Sequence, residues 1–112
     1  MTPPALAPTE LDAIARFFDG DQALYLAFRS TCLTQFQADL QEGEQLNAAG
    51  DLEALRRLVH SLKSVLQTLG HADLSVMARD AEHAAKALDA PLASAGWERL
   101  RDGLVTRFGL KV

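Results

Sequence analysis

The chain has 112 residues, 48% hydrophobic and 23% charged, with a formal net charge of −4 at pH 7. That is enough for one domain with a real core, and it lacks the strong basic field that nucleic-acid binding uses. The single cysteine, Cys32, excludes an intrachain disulfide and a Cys-rich metal site and fits a reducing compartment. No run approaches the roughly 18 apolar residues of a membrane span, and the start, MTPPALAPTE, lacks the basic and long apolar stretches of a signal peptide. A cytoplasmic chain is the expectation.

Residues 1–8 hold Pro3, Pro4 and Pro8 and read as an extended arm or an interdomain linker. The bundle domain is expected over residues 9–112. Thr9, with Glu10 and Asp12 behind it, reads as the N-cap of a short helix reaching about Phe18. Asp19, Gly20 and Asp21 break it. A long helix is predicted from about Asp21 to Leu46, with Leu24, Phe28, Cys32, Phe36 and Leu40 every four residues and Tyr25 and Leu33 widening the stripe. Gly43 disfavours helix by about 1 kcal/mol and leaves the last turn open. Gly50 ends the element and Asp51 caps the next.

The third segment, Leu52 to Leu69, has the cleanest period in the chain: Leu52, Leu55, Val59, Leu62, Leu66 and Leu69 alternate spacings of three and four. Gly70 suits the position after its end. A fourth helix, about Asp73 to Leu88, places Leu74, Met77, Ala78, Ala81, Ala85 and Leu88 on one face. Pro91 suits the first turn of a fifth, which carries Leu92, Leu100, Leu104 and Phe108 with Trp97 beside them. No strand alternation appears. The fold class is all-α: an antiparallel up-down four-helix bundle with a short additional N-terminal helix.

Within the third helix, His60 stands beside the apolar stripe. A step of 100° per residue carries it toward Arg56, Lys63, Ser64 and Gln67, at i−4, i+3, i+4 and i+7. An exposed imidazole is mostly neutral at pH 7 and nucleophilic. A phosphoryl group on it carries close to two negative charges, which Lys63 can partly neutralise. The small Ser64 leaves room for a second protein to approach the ring. Phosphoryl transfer asks for little beyond such positioning and charge neutralisation.

"VHSLKSVLQTLG" followed by "LSVMARDAEHAAK" resembles the signature of the histidine-containing phosphotransfer (HPt) family: a histidine, two residues, a lysine and a glycine, then Leu-Gly six residues after the lysine, then Leu, three residues, Ala, and an acid one turn on. His60 matches the phosphoacceptor and Lys63 the lysine. Leu69 and Gly70 match the helix end, and Leu74, Ala78 and Glu82 match the next helix. The resemblance covers roughly residues 10 to 108. Ser64 stands where the family has glycine, Val59 and His71 where it often has alanine.

The resemblance implies a monomeric phosphocarrier of a two-component phosphorelay, taking a phosphoryl group on His60 from one receiver-domain aspartate and giving it to another. Response-regulator receiver domains, or a hybrid histidine kinase, are the implied partners. The receiver supplies Mg²⁺ and most of the catalysis, and the chain itself needs no cofactor. Ser64, Gln67 and Arg56 are the candidates for partner docking or the phosphate environment. No Gly-rich nucleotide loop is present, so self-phosphorylation from ATP is not expected.

The rival reading is a helical interaction module that binds receiver domains without carrying phosphate. A metal-binding bundle is disfavoured: Asp80 and His83 form one acid-x-x-His pair, where di-iron bundles use two plus further glutamates. His83 reads as a surface residue, Cys32 as a small core hydrophobe, and Tyr25, Phe28 and Phe36 as core. His71, about 16 Å from His60 along a continuous helix, is too distant to share a metal with it.

Overall fold

The computed structural model describes residues 5–112; Pro3 and Pro4 of the expected arm lie outside them. Five helices and no strand form among the described residues: α1 Pro8–Phe17, α2 Gln22–Ala49, α3 Leu52–Thr68, α4 Ala72–Lys86 and α5 Ala90–Phe108. The caps explain most boundaries. The carboxylates of Asp21, Asp51 and Asp89 accept from the backbone N–H groups of Leu24, Ala54 and Leu92 at 3.0–3.1 Å, satisfying donors that a first helical turn leaves free. Gly50 and Gly109 close α2 and α5 in the left-handed region, at φ +68° and +65°.

The start of α1 differs from expectation. Its first residue is Pro8, not a residue after a Thr9 cap, and Ala7 is the N-cap. Proline fits the first helical position because its missing N–H has no acceptor there. Glu10, three residues on from the cap, takes the Ala7 N–H at 3.0 Å. Leu6, expected in the arm, packs on the core.

α3 packs most closely on α4 and α4 on α5, while α2 touches both α3 and α5, closing a ring of four. Short connections make consecutive helices antiparallel neighbours. Leu55, Val59, Leu62, Leu66 and Leu69 are all buried, as their period predicts, each contributing roughly 1.5–3 kcal/mol.

Four apolar residues depart from expectation. Leu24 and Phe28, placed on the core stripe of α2, are 55% and 37% exposed. The helix has 28 residues against 17 for α3, so its first turns project about 16 Å beyond α3. There cover comes mainly from α1 and the residue that ends it, with Phe18 edge-on to Tyr25, and Tyr25 rather than Leu24 is buried. Leu88 is not on α4, which ends at Lys86; it has φ +57° and lies in the turn, 75% exposed. Leu92 is 59% exposed.

Gly43 lies inside α2, which runs on past it to Ala49. A Cβ there would sit 2.0 Å from Trp97 Cη2. Trp97, expected beside the stripe, is fully buried, and its indole occupies the space that glycine leaves. The Trp97 Nε1–H donates to Glu44 at 2.9 Å, so the ring's one polar atom is satisfied.

Candidate functional site

His60 sits on α3 between the buried Val59 and Leu62. One step round the helix brings its side chain out of the core, and 57% of it is exposed. The α3–α4 contact supplies what the α3 sequence alone does not show. Glu82, on α4, is buried, 4% exposed. One carboxylate oxygen, Oε2, hydrogen-bonds His60 Nδ1. The other, Oε1, accepts from Lys63 Nζ at 2.8 Å. The same helix pair is fastened one turn away by Ser75, whose hydroxyl donates to the Lys63 carbonyl at 2.8 Å.

The tautomer follows from the charge of Glu82. Burial pushes its pKa up, but hydrogen bonds from Lys63 and His60 and the charge of Lys63 outweigh burial and hold it below the ordinary 4.5. Glu82 is therefore ionised at neutral pH and can only accept. The Nδ1 atom therefore carries a proton in that contact, so in a neutral ring the lone pair is on Nε2. No described side chain hydrogen-bonds Nε2. The imidazole is held by Nδ1, with the Lys63 ammonium one helical turn on and bound to the same carboxylate.

Of the residues expected around His60, Lys63 is joined to it through Glu82. Ser64 and Gln67 lie exposed on the same strip and make no hydrogen bond to the ring. Gln67 is on the rim of a shallow pocket of about 210 Å³ that also includes Lys63, Ser75, Val76 and Arg79. Arg56 is on the strip, but its guanidinium turns back onto Glu53, with hydrogen bonds of 2.7 and 3.1 Å. His83 is exposed and Cys32 is buried, as expected of both. The groove of about 460 Å³ between α4 and α5, lined by His83, Leu92 and Arg99 among others, contains none of His60, Lys63 and Glu82.

Glu82 was legible as a sequence match but not as a partner of His60. The signal that could have found it is its position among Ala78, Ala81 and Ala85. A carboxylate inside an apolar stripe must find a cation or donor on the facing helix, and the facing helix is α3. His71, expected to lie too far from His60 to share a metal with it, is buried at 4% exposure in a separate polar cluster.

Among the described residues, no helix is long and apolar enough to cross a membrane. Comparison with curated proteins and with solved structures gives no match. The family model described as Hpt domain matches residues 25–106, a stretch that includes His60, Lys63 and Glu82. Hpt domains are histidine phosphotransfer carriers of phosphorelays, have no kinase site, and interact with receiver domains. With that match over most of its length, the chain belongs to the Hpt domain family.

Proposed function

We propose that this chain accepts a phosphoryl group on His60 Nε2 from the aspartyl phosphate of one receiver domain and passes it to the aspartate of another. The observation that carries the reading is the pairing of an exposed imidazole with a buried carboxylate on its Nδ1 and a lysine on that same carboxylate. In the accepting step the Nε2 lone pair attacks phosphorus. The N–P bond forms, the P–O bond to the aspartyl carboxyl breaks, and the carboxylate leaves with the bonding pair. The Nδ1 proton stays where Glu82 holds it. The donating step is the reverse, with a second receiver's carboxylate as the nucleophile.

Lys63 is free to change partners. Glu82 binds it while His60 is bare; once a phosphoryl group adds close to two negative charges, the ammonium can reach toward it. Mg²⁺, by analogy with the family, belongs to the receiver. Docking covers the strip of His60, Ser64 and Gln67. Phe17 and Val76, 48% and 43% exposed, supply apolar surface at the edges of the two pockets that Gln67 borders. A cytoplasmic setting completes the proposal.

The test is a pulse and chase. A receiver carrying labelled phosphoryl is mixed with the chain, and a second, unlabelled receiver is added. Label should appear on the chain as an acid-labile, base-stable adduct and then move to the second receiver. His60→Gln should take up none. Tight receiver binding with no uptake by the parent protein overturns the carrier role and supports the interaction module.

A further inference from the structure

A buried polar cluster fastens the α3–α4 turn to the other helices. His71, in that turn, has Nδ1 3.0 Å from Arg107 Nη1 and Nε2 3.2 Å from Glu10 Oε2. A guanidinium N–H can only donate, so Nδ1 carries the lone pair, and the proton sits on Nε2 and is donated to Glu10. The Phe108 ring meets the imidazole edge-on at 4.9 Å. Arg107 also forks onto Asp73 at 3.0 and 2.5 Å. Glu10 takes further hydrogen bonds from the Tyr25 hydroxyl at 2.9 Å and Arg29 Nε at 3.2 Å. The hydroxyl also lies 2.7 Å from the Leu69 carbonyl.

Every helix contributes to what His71 faces. Glu10 comes from α1, Tyr25 and Arg29 from α2, Asp73 from α4 and Arg107 from α5. The end of α3 offers only the Leu69 carbonyl. Burial and the neighbouring Glu10 charge raise the Tyr25 phenol far above its usual range, so it stays neutral. The two carboxylates and two guanidinium groups cancel. A proton added to His71 is therefore uncompensated, and it arrives on the nitrogen to which Arg107 donates.

We propose that His71 is a proton-operated latch: neutral, it fastens α1 and the last turn of α5 to the α3–α4 turn, and protonated on Nδ1 it expels Arg107 and loosens both. The consequence reaches the surface that holds His60. Thr9, Asp12, Ala13, Arg16 and Phe17 of α1 form one wall of a groove of about 350 Å³ whose other wall includes Gln67 and Ala72. Release of α1 removes that wall. Gly70 shows how closely the wall is set: a Cβ on it would come within 2.4 Å of the Thr9 carbonyl oxygen.

Burial lowers the His71 pKa below its ordinary 6.5; the Glu10 charge raises it and the Arg107 charge lowers it, and the balance is downward. The latched form then binds fewer protons than the open one. Its stability is full above pH about 6.5 and is lost as pH falls from there toward the latched-state value, the open population rising about tenfold per pH unit across that window.

The experiment measures amide hydrogen exchange of the whole chain at pH 7.5 and 5.5, corrected for the intrinsic rate, together with imidazole ¹⁵N shifts. Protection in α1 and the last turn of α5 should fall, by up to about tenfold, relative to the core of α3. His71→Gln, whose amide can donate to Glu10 and accept from Arg107 without titrating, should show no such fall. In the parent protein the shifts should report an Nε2–H tautomer at pH 7.5 and a midpoint below 6.5. An Nδ1–H tautomer, a midpoint at or above 6.5, or an equal fall in His71→Gln overturns the latch. The ¹⁵N readout on the parent protein stands even if the variant does not fold.

Discussion

Glu82→Ala removes the acceptor of two charge-assisted hydrogen bonds at once, and its effects on folding and on transfer should differ in size. For folding, the loss is small. The pair Glu82–Lys63 is partly exposed on the lysine side, at 28%, and His60 is more than half exposed, so solvent screens both contacts. Deleting the carboxylate also removes its own desolvation cost. A net destabilisation of about 1–2 kcal/mol is expected. For transfer, the imidazole loses the group that fixes its proton on Nδ1 and its ring plane. One charge-assisted hydrogen bond is worth about 1.5–3 kcal/mol, which corresponds to roughly 10- to 150-fold in rate. Glu82→Gln keeps a carbonyl oxygen for Nδ1–H and should stay within about tenfold of the parent. Rapid-quench transfer from a phosphorylated receiver reads the rate, and imidazole ¹⁵N shifts read the tautomer. A Glu82→Ala rate within twofold of the parent, in a protein whose His60 remains Nδ1-protonated, would refute the reasoning. The pH dependence has a definite sign. Glu82 has a depressed folded-state pKa, so its contribution is complete above about 4.5 and is lost as pH falls through the folded value; urea titrations below pH 5 should be flatter in Glu82→Ala than in the parent.

Lys63→Ala should slow transfer roughly 10-fold or more by the loss of one charge-assisted contact, measured by the same rapid quench; because it leaves the buried Glu82 with His60 alone, it should also destabilise by about 1 kcal/mol rather than behave as a plain surface change. Gly43→Ala places a methyl group 2.0 Å from the Trp97 ring and should cost about 2–3 kcal/mol despite the better helix propensity of alanine, seen as a lower urea midpoint with altered Trp97 fluorescence; an unchanged midpoint would show that the indole can move aside. Ser64→Tyr should leave the urea midpoint within about 0.5 kcal/mol of the parent and block receiver binding in an amide-shift titration, because Ser64 is exposed one turn from His60. Asp73, held down to about 2 chiefly by the hydrogen bond from Arg107 and against the effect of burial, should contribute stability above pH about 4 that disappears as pH falls toward 2; an Asp73→Asn protein whose acid unfolding matches the parent would remove that contribution.

How much of this was legible in the sequence depended on whether a position reports its own helix or a neighbouring one. The period of α3, the caps at Asp51 and Gly50, the break after Phe18 and the exposed side of His60 are local properties, and each appeared where the spacing put it. Leu24 and Phe28 fit the period of α2 equally well, yet period says only which residues share a face. Whether that face is covered depends on how far α3 reaches. Gly43 read as a weakness in α2 because its partner, Trp97, is 54 residues later on α5. Glu82 and His71 were both noted at their positions, one as a motif match and one as a departure. Their partners were hidden for the same reason: His60 and Lys63 lie across the α3–α4 contact, and Glu10 and Arg107 come from opposite ends of the chain. A carboxylate inside an apolar stripe, as Glu82 is among Ala78, Ala81 and Ala85, calls for such a partner, but a single sequence does not say which residue answers it.

In the proposed transfer the reactive atom is Nε2 of His60, made nucleophilic by Glu82 on the opposite nitrogen. Phosphorus–nitrogen correlation NMR on ¹⁵N-labelled protein, after transfer from a phosphorylated receiver, tests it at the atom itself. A single phosphohistidine, His60, is expected, with phosphorus coupled to Nε2 and a proton retained on Nδ1. Coupling to Nδ1, or a phosphorylated His71 or His83, would contradict it.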